Sequence, residues 1–173
     1  MSKLVVLFVS RNNSIRSQIA ESQLKKQAGD KFEVYSAGIQ TTDGVGVHPV
    51  AKMILEMDQS PTDGLEAKTL DQFLNGPGKG KTIDFVFTLS DTAHSGLDKT
   101  PLNLPPESIL SHWRVEEPDT SGDEEVVKQN VFRVLNLIAL RIELLVSLPF
   151  ESLEQQALQY RLDEIGGAKK TLA

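Results

Sequence analysis

Apolar positions along the chain alternate between two rhythms. Residues 3–9, Lys-Leu-Val-Val-Leu-Phe-Val, form an unbroken apolar, β-branched run. A parallel strand covered on both faces requires such a run. Residues 16–28 then switch to helical spacing, with Ile19, Ala20, Leu24 and Ala28 on one face. The chain therefore opens strand, tight loop, helix. Residues 32–37 predict a second strand, ended by Gly38, and residues 39–47 a polar loop. Pro49 suits the first turn of a helix running to Met57, with Val50, Met53, Ile54 and Met57 on one side. Residues 58–67 are turn-rich, Thr69 is placed to cap a short helix holding Leu70, Phe73 and Leu74, and Gly76–Gly80 reads as a loop.

The second half repeats the alternation. Residues 83–89 predict a third strand, and residues 91–106, with three prolines, a long loop. A short strand at 109–111 and an acidic turn-like stretch at 114–123 follow. From Asp123 to Ser147 the stripe Val127, Val131, Val134, Leu135, Ile138, Ile142 and Leu145 predicts a long helix that must pack on something. Residues 151–164 read as a last amphipathic helix. Strands alternating with helices give an α/β fold: one three-layer α/β/α domain over residues 1–165, with a four-stranded parallel sheet of flavodoxin-like type and a frayed tail at 166–173. In such sheets ligands sit beyond the carboxyl ends of the strands. That puts residues 10–17, 90–95 and 112–118 on one rim.

Composition narrows the chemistry. The net charge of −6 opposes broad binding to nucleic acid or an anionic membrane, while leaving room for a local basic pocket. No stretch is long enough to span a bilayer, and the opening apolar run is too short for a signal peptide, so a cytoplasmic location is expected. The chain has no cysteine, which removes disulfides, thiolate metal sites and thiol catalysis. His48, His94 and His112 lack metal-ligand spacing. Neither a metal nor a cofactor is expected.

The loop after the first strand concentrates the chemistry. Ser10-Arg-Asn-Asn-Ser-Ile-Arg-Ser17 is delivered by a buried strand to a helix N-terminus, where free N–H groups and the helix dipole favour an anion. Arg16 can add a two-pronged guanidinium contact, and Ser10, Ser14 and Ser17 offer hydroxyls. Asn12 and Asn13 tolerate the left-handed backbone of a tight anion nest. Each residue also has an ordinary reading: Arg16 as a surface helix residue, Ser10 as a cap, Asp91 as a turn residue, His112 and Trp113 as packing.

In order along the chain, this loop, Gln18-Ile-Ala-Glu21, Ser36-Ala-Gly38, His48-Pro49, Thr88-Leu-Ser-Asp91-Thr-Ala93 and His112-Trp113 leading to Glu117-Pro118 resemble the low-molecular-weight tyrosine phosphatase and arsenate reductase family. The resemblance puts Ser10 at the family's nucleophilic cysteine and Arg16-Ser17 in register with its Cys-x5-Arg-Ser loop. It implies residues 10–17 (Ser10, Arg11, Asn12, Asn13, Ser14, Ile15, Arg16, Ser17) as the binding loop for a phosphate, arsenate or sulfate oxyanion, Arg16 as transition-state clamp, and Glu117 at the family's general-acid aspartate. Ser90 and Thr100 lie near positions where the thioredoxin-linked branch carries cysteines, and Ile15 stands where many members have a second loop cysteine. A thiol cascade therefore cannot run here. A serine hydroxyl titrates far above a thiol and needs a neighbouring base, so binding is expected to persist while covalent turnover is lost. Two readings stand side by side: a phosphatase scaffold silenced by one Cys→Ser change, and a natural inactive relative that senses an oxyanion or docks a phosphorylated protein.

Overall fold

The computed structural model describes residues 3–40, 46–97, 102 and 104–168. Four strands, β1 (Leu4–Ser10), β2 (Phe32–Gly38), β3 (Phe85–Thr88) and β4 (Ile109–His112), form one sheet in the order β2-β1-β3-β4. Every neighbouring pair is parallel, with Val6 opposite both Val34 and Phe85. The four-stranded parallel sheet expected from sequence is therefore present. Val6, Leu7, Phe8 and Val9 have no accessible surface, because β1 is interior to the sheet and covered on both faces.

Helices α1 (Arg16–Ala28), α2 (Pro49–Met57), α5 (Glu124–Val146) and α6 (Gln155–Gly166) pack with Val6, Phe8, Phe85 and Phe87 in one core. On the opposite face, α3 (Leu70–Asn75) and α4 (Asp91–Gly96) close a smaller core around Leu7, Val9, Phe73 and Val86. Trp113 is buried just past β4, its ring centroid 4.1 Å from that of Phe87, and its indole N–H donates to the Leu162 carbonyl at 2.9 Å. The packing reading of Trp113 holds.

Caps explain the boundaries. Thr69 and Gln72 form a reciprocal capping box at α3, and Asp123 accepts from the Val126 N–H at the start of α5. Two expectations need correction. Residues 91–106 are not loop throughout: Ser90 Oγ accepts from the Ala93 N–H at 3.0 Å and starts α4. A six-residue helix is too short to show a period. The last helix also begins later than 151, because Pro149 leads into a single 3-10 turn at Phe150–Ser152 before α6. Within the expected loops, residues 41–45, 98–101 and 103 lie outside the described residues, as do Thr100 and the tail from 169.

Candidate oxyanion site

β1 ends at Ser10 and α1 begins at Arg16, so the five residues Arg11–Ile15 turn the chain through the rim. Asn13 takes a left-handed backbone, φ 54°, which asparagine accepts at low cost. Its side chain then braces the turn: Nδ2 donates to Ser17 Oγ (2.7 Å) and Ser36 Oγ (3.0 Å), while Oδ1 accepts from the Lys68 N–H (3.0 Å). Gln18 Nε2 holds the Asn13 carbonyl at 2.9 Å. The N–H groups of Ile39, Gln40 and His48 bind the carbonyls of Ser10, Arg11 and Ser14. The loop's carbonyls are thus turned outward into the protein. Gly38 makes this possible, since a Cβ there would stand 2.8 Å from the Asn12 carbonyl carbon and 2.9 Å from the Asn13 nitrogen.

With the carbonyls engaged, the amides are left for a ligand. Among the described residues, no chain acceptor takes the N–H of Asn12, Ser14, Ile15, Arg16 or Ser17, and α1 has no side-chain cap. Uncapped N–H groups at a helix start form an anion site. Ser10 Oγ sits on its floor, 2.6 Å from Ser17 Oγ and accepting from the Asn13 N–H at 3.2 Å.

Arg16 is buried, 7% exposed, which excludes the surface reading. Its Nη1 donates to the Val115 carbonyl at 2.8 Å, with Leu89 O at 3.5 Å. A two-pronged contact to a ligand therefore falls to Nε and Nη2. Burial pushes its pKa down; Glu117 opposes that shift, and Arg11 and Arg114 add to it. Glu117 is exposed and lines, with Arg11, Arg16, Ser90, Asp91 and Arg114, a cleft of about 200 Å³. Asp91 opens α4 rather than a turn and bridges His112 Nε2 and Arg114 Nε, each at 3.1 Å. Those two partners hold its carboxyl below its ordinary range.

The structure thus joins Ser10, Asn13 and Ser17 by hydrogen bonds, and gathers Arg11, Arg16 and Glu117 around one cleft. Asn12 and Ser14 are half-buried at the loop surface, whereas the Ile15 side chain faces the core. His48, the histidine bound to the loop, gives it a backbone N–H; its ring Nδ1 caps α2 by accepting from the Val50 N–H at 3.1 Å. It is no base for Ser10. Sequence reasoning missed the roles of Ser36, Lys68 and Arg114. Ser36-Ala-Gly38 carried a signal, since a small polar residue before a glycine fits beside a crossing backbone.

Residues 5–157 match the family described as low molecular weight phosphotyrosine protein phosphatase. An arsenate reductase of Oceanobacillus iheyensis is 36% identical over 134 residues, 77% of this chain and 87% of its own. That of Bacillus licheniformis is 35% identical over 144 residues, 83% and 95% of the two chains. YfkJ from Bacillus subtilis shares the fold, with a TM-score of 0.60 at 22% identity over 88% of this chain and 99% of its own. An arsenate reductase in the phosphate binding state superposes with a TM-score of 0.50 at 31% identity, over 79% of this chain and 97% of its own.

Proposed function

The chain belongs to the low molecular weight phosphotyrosine protein phosphatase family, and from that premise we propose that its 10–17 loop binds a compact tetrahedral oxyanion, phosphate or arsenate. The observation that carries this reading is the run of uncommitted amides around Ser10 with Arg16 anchored beside them. A phosphate-bound state in a relative at 31% identity supports it. The cleft also speaks to ligand type. Among the described residues none of the seven Phe, two Tyr and one Trp lines it. A wall of guanidinium and carboxylate groups suits a free oxyanion or the phosphate end of an ester, and the arginine planes are the groups left to face a tyrosyl ring.

In this reading Ser10 holds the ligand without attacking it. Its hydroxyl is bonded to the Ser17 hydroxyl and the Asn13 N–H, and neither is a base that could activate it. Arg16 would steady the ligand's charged oxygens, and Glu117 on the cleft wall would be the proton donor to a leaving oxygen once residue 10 can attack.

The test is p-nitrophenyl phosphate hydrolysis by this chain and by Ser10→Cys, beside calorimetric phosphate binding by this chain and by Arg16→Ala. Turnover in the cysteine variant alone, with binding lost in Arg16→Ala, supports a silenced phosphatase site. Phosphate binding with no turnover in either protein favours the binding-module reading, an oxyanion sensor or phosphoprotein dock. Unchanged binding in folded Arg16→Ala sinks the site assignment.

A further inference from the structure

Behind the oxyanion loop lies a buried carboxylate that the proposed chemistry does not use. Glu21, on the second turn of α1, is 4% exposed. Its Oε1 accepts from Ser36 Oγ at 2.6 Å, and its Oε2 pairs with Lys25 Nζ at 2.5 Å. Ser36 Oγ in turn accepts from Asn13 Nδ2, so a negative charge stands two hydrogen bonds behind a loop meant to attract anions. In a low-dielectric interior such a charge repels a phosphate strongly unless it is offset.

The offset comes from outside α1. Lys68, on the segment leading to α3, donates from Nζ to the Ser36 carbonyl at 3.1 Å and to the Glu66 carbonyl at 2.9 Å. The Ser36 whose hydroxyl binds Glu21 thus has its carbonyl on the Lys68 ammonium. The backbone of Lys68 is part of the same brace, since its N–H holds Asn13 Oδ1 and its carbonyl accepts from the Gly38 N–H. Burial lowers the Lys68 pKa, and Glu21 is the strongest influence opposing that shift.

Resting on the reading of residues 10–17 as an oxyanion nest, we propose that Lys68 is a positioning residue whose ammonium offsets Glu21 and keeps the field behind the loop attractive to a tetrahedral anion. With Lys25 and Lys68 against Glu21 and the more exposed Glu66, the charges behind the loop sum to zero. Lys68→Met takes the sum to minus one, Glu21→Gln raises it to plus one, and the double variant returns it to zero.

That arithmetic fixes an order that a merely structural brace would not produce. Isothermal titration with inorganic phosphate is expected to give the tightest binding in Glu21→Gln. This chain, the double variant and Lys68→Arg should agree within about threefold, and Lys68→Met should bind about tenfold more weakly. A double variant weaker than Lys68→Met, or a Lys68→Met equal to this chain, overturns the proposal while leaving the oxyanion reading intact. If Lys68→Met does not fold, the double variant, which lacks the uncompensated carboxylate, decides: affinity near that of this chain supports the offset, and a tenfold loss overturns it. No phosphate binding by this chain itself would overturn the oxyanion reading and this inference with it.

Discussion

Helices α1 and α5 lie against each other yet are held by different physics. The buried side of α5 is aliphatic apart from Arg141, whose Nη1 donates to the Trp113 and Arg114 carbonyls: Val127, Val131, Val134, Leu135, Ile138, Ile142 and Leu145. The buried residues of α1 include Arg16, Ser17, Gln18, Glu21, Ser22 and Gln23. Burying such groups is costly unless each finds a partner. Gln23 Nε2 reaches Ser60 Oγ at 2.7 Å and Asp58 Oδ2 at 3.1 Å, Ser22 donates to the Pro61 carbonyl, and Glu21 is met by Ser36 and Lys25. The helix that serves the site is fixed by directional bonds, and the helix that serves the core by area. Position matters more for a loop that must aim amides than for a slab that must exclude water.

Substitutions can separate the two modes. The largest effect on stability is expected from Ile142→Ala, at full burial on α5, which should cost about 2–5 kcal/mol in urea unfolding. Phosphate affinity should stay within about twofold in the folded fraction. A large affinity loss there would show that the core helix also sets the loop. Asn13→Ala should cost less stability, about 1–3 kcal/mol, yet should abolish measurable phosphate binding, because the brace to Ser17, Ser36 and Lys68 goes. Asn13→Gly, which keeps the left-handed backbone without the brace, separates the two contributions. Gln23→Ala should cost about 1 kcal/mol, and binding that survives it would place the α1–turn bonds outside the site's own network.

The smallest effect concerns pH. Burial lowers the His48 pKa from its ordinary value, so the folded state favours the neutral ring. Its contribution is therefore intact above the unfolded pKa of about 6.5 and is lost as pH falls below it. Protonation also removes Nδ1 as acceptor for the Val50 N–H. A shallow fall in stability from pH 7 to pH 5, flattened in His48→Asn, is expected in chemical denaturation. An unchanged slope in the variant would remove His48 from the account.

The same contrast explains what could be read in advance. The α5 stripe repeats over about five turns, and the β1 run is continuous, so helix, strand and their burial were legible from spacing alone. The loop was legible because Arg16, Ser17 and Asn13 follow a buried strand. What escaped was long-range and polar. Lys68 lies 55 residues beyond Asn13 in the chain, and Arg114 meets Asp91 across 23; neither pairing leaves a local pattern. The α4 helix hid because its six residues carry one buried position, Ala93. Ile15 belongs to the loop by its backbone, while its side chain packs in the core.

The packing of Trp113 has an optical consequence. It is the single tryptophan, almost wholly shielded from water, packed at a tilt against Phe87 and Phe8 and hydrogen-bonded to α6. Two residues further on, the Val115 carbonyl grips Arg16. Emission from this chain therefore reports on one place, the junction between the sheet edge and the cleft wall. A blue-shifted spectrum should mark the seated wall, and a shift toward red would mark its release. Ligand arrival could then be followed by light without a label.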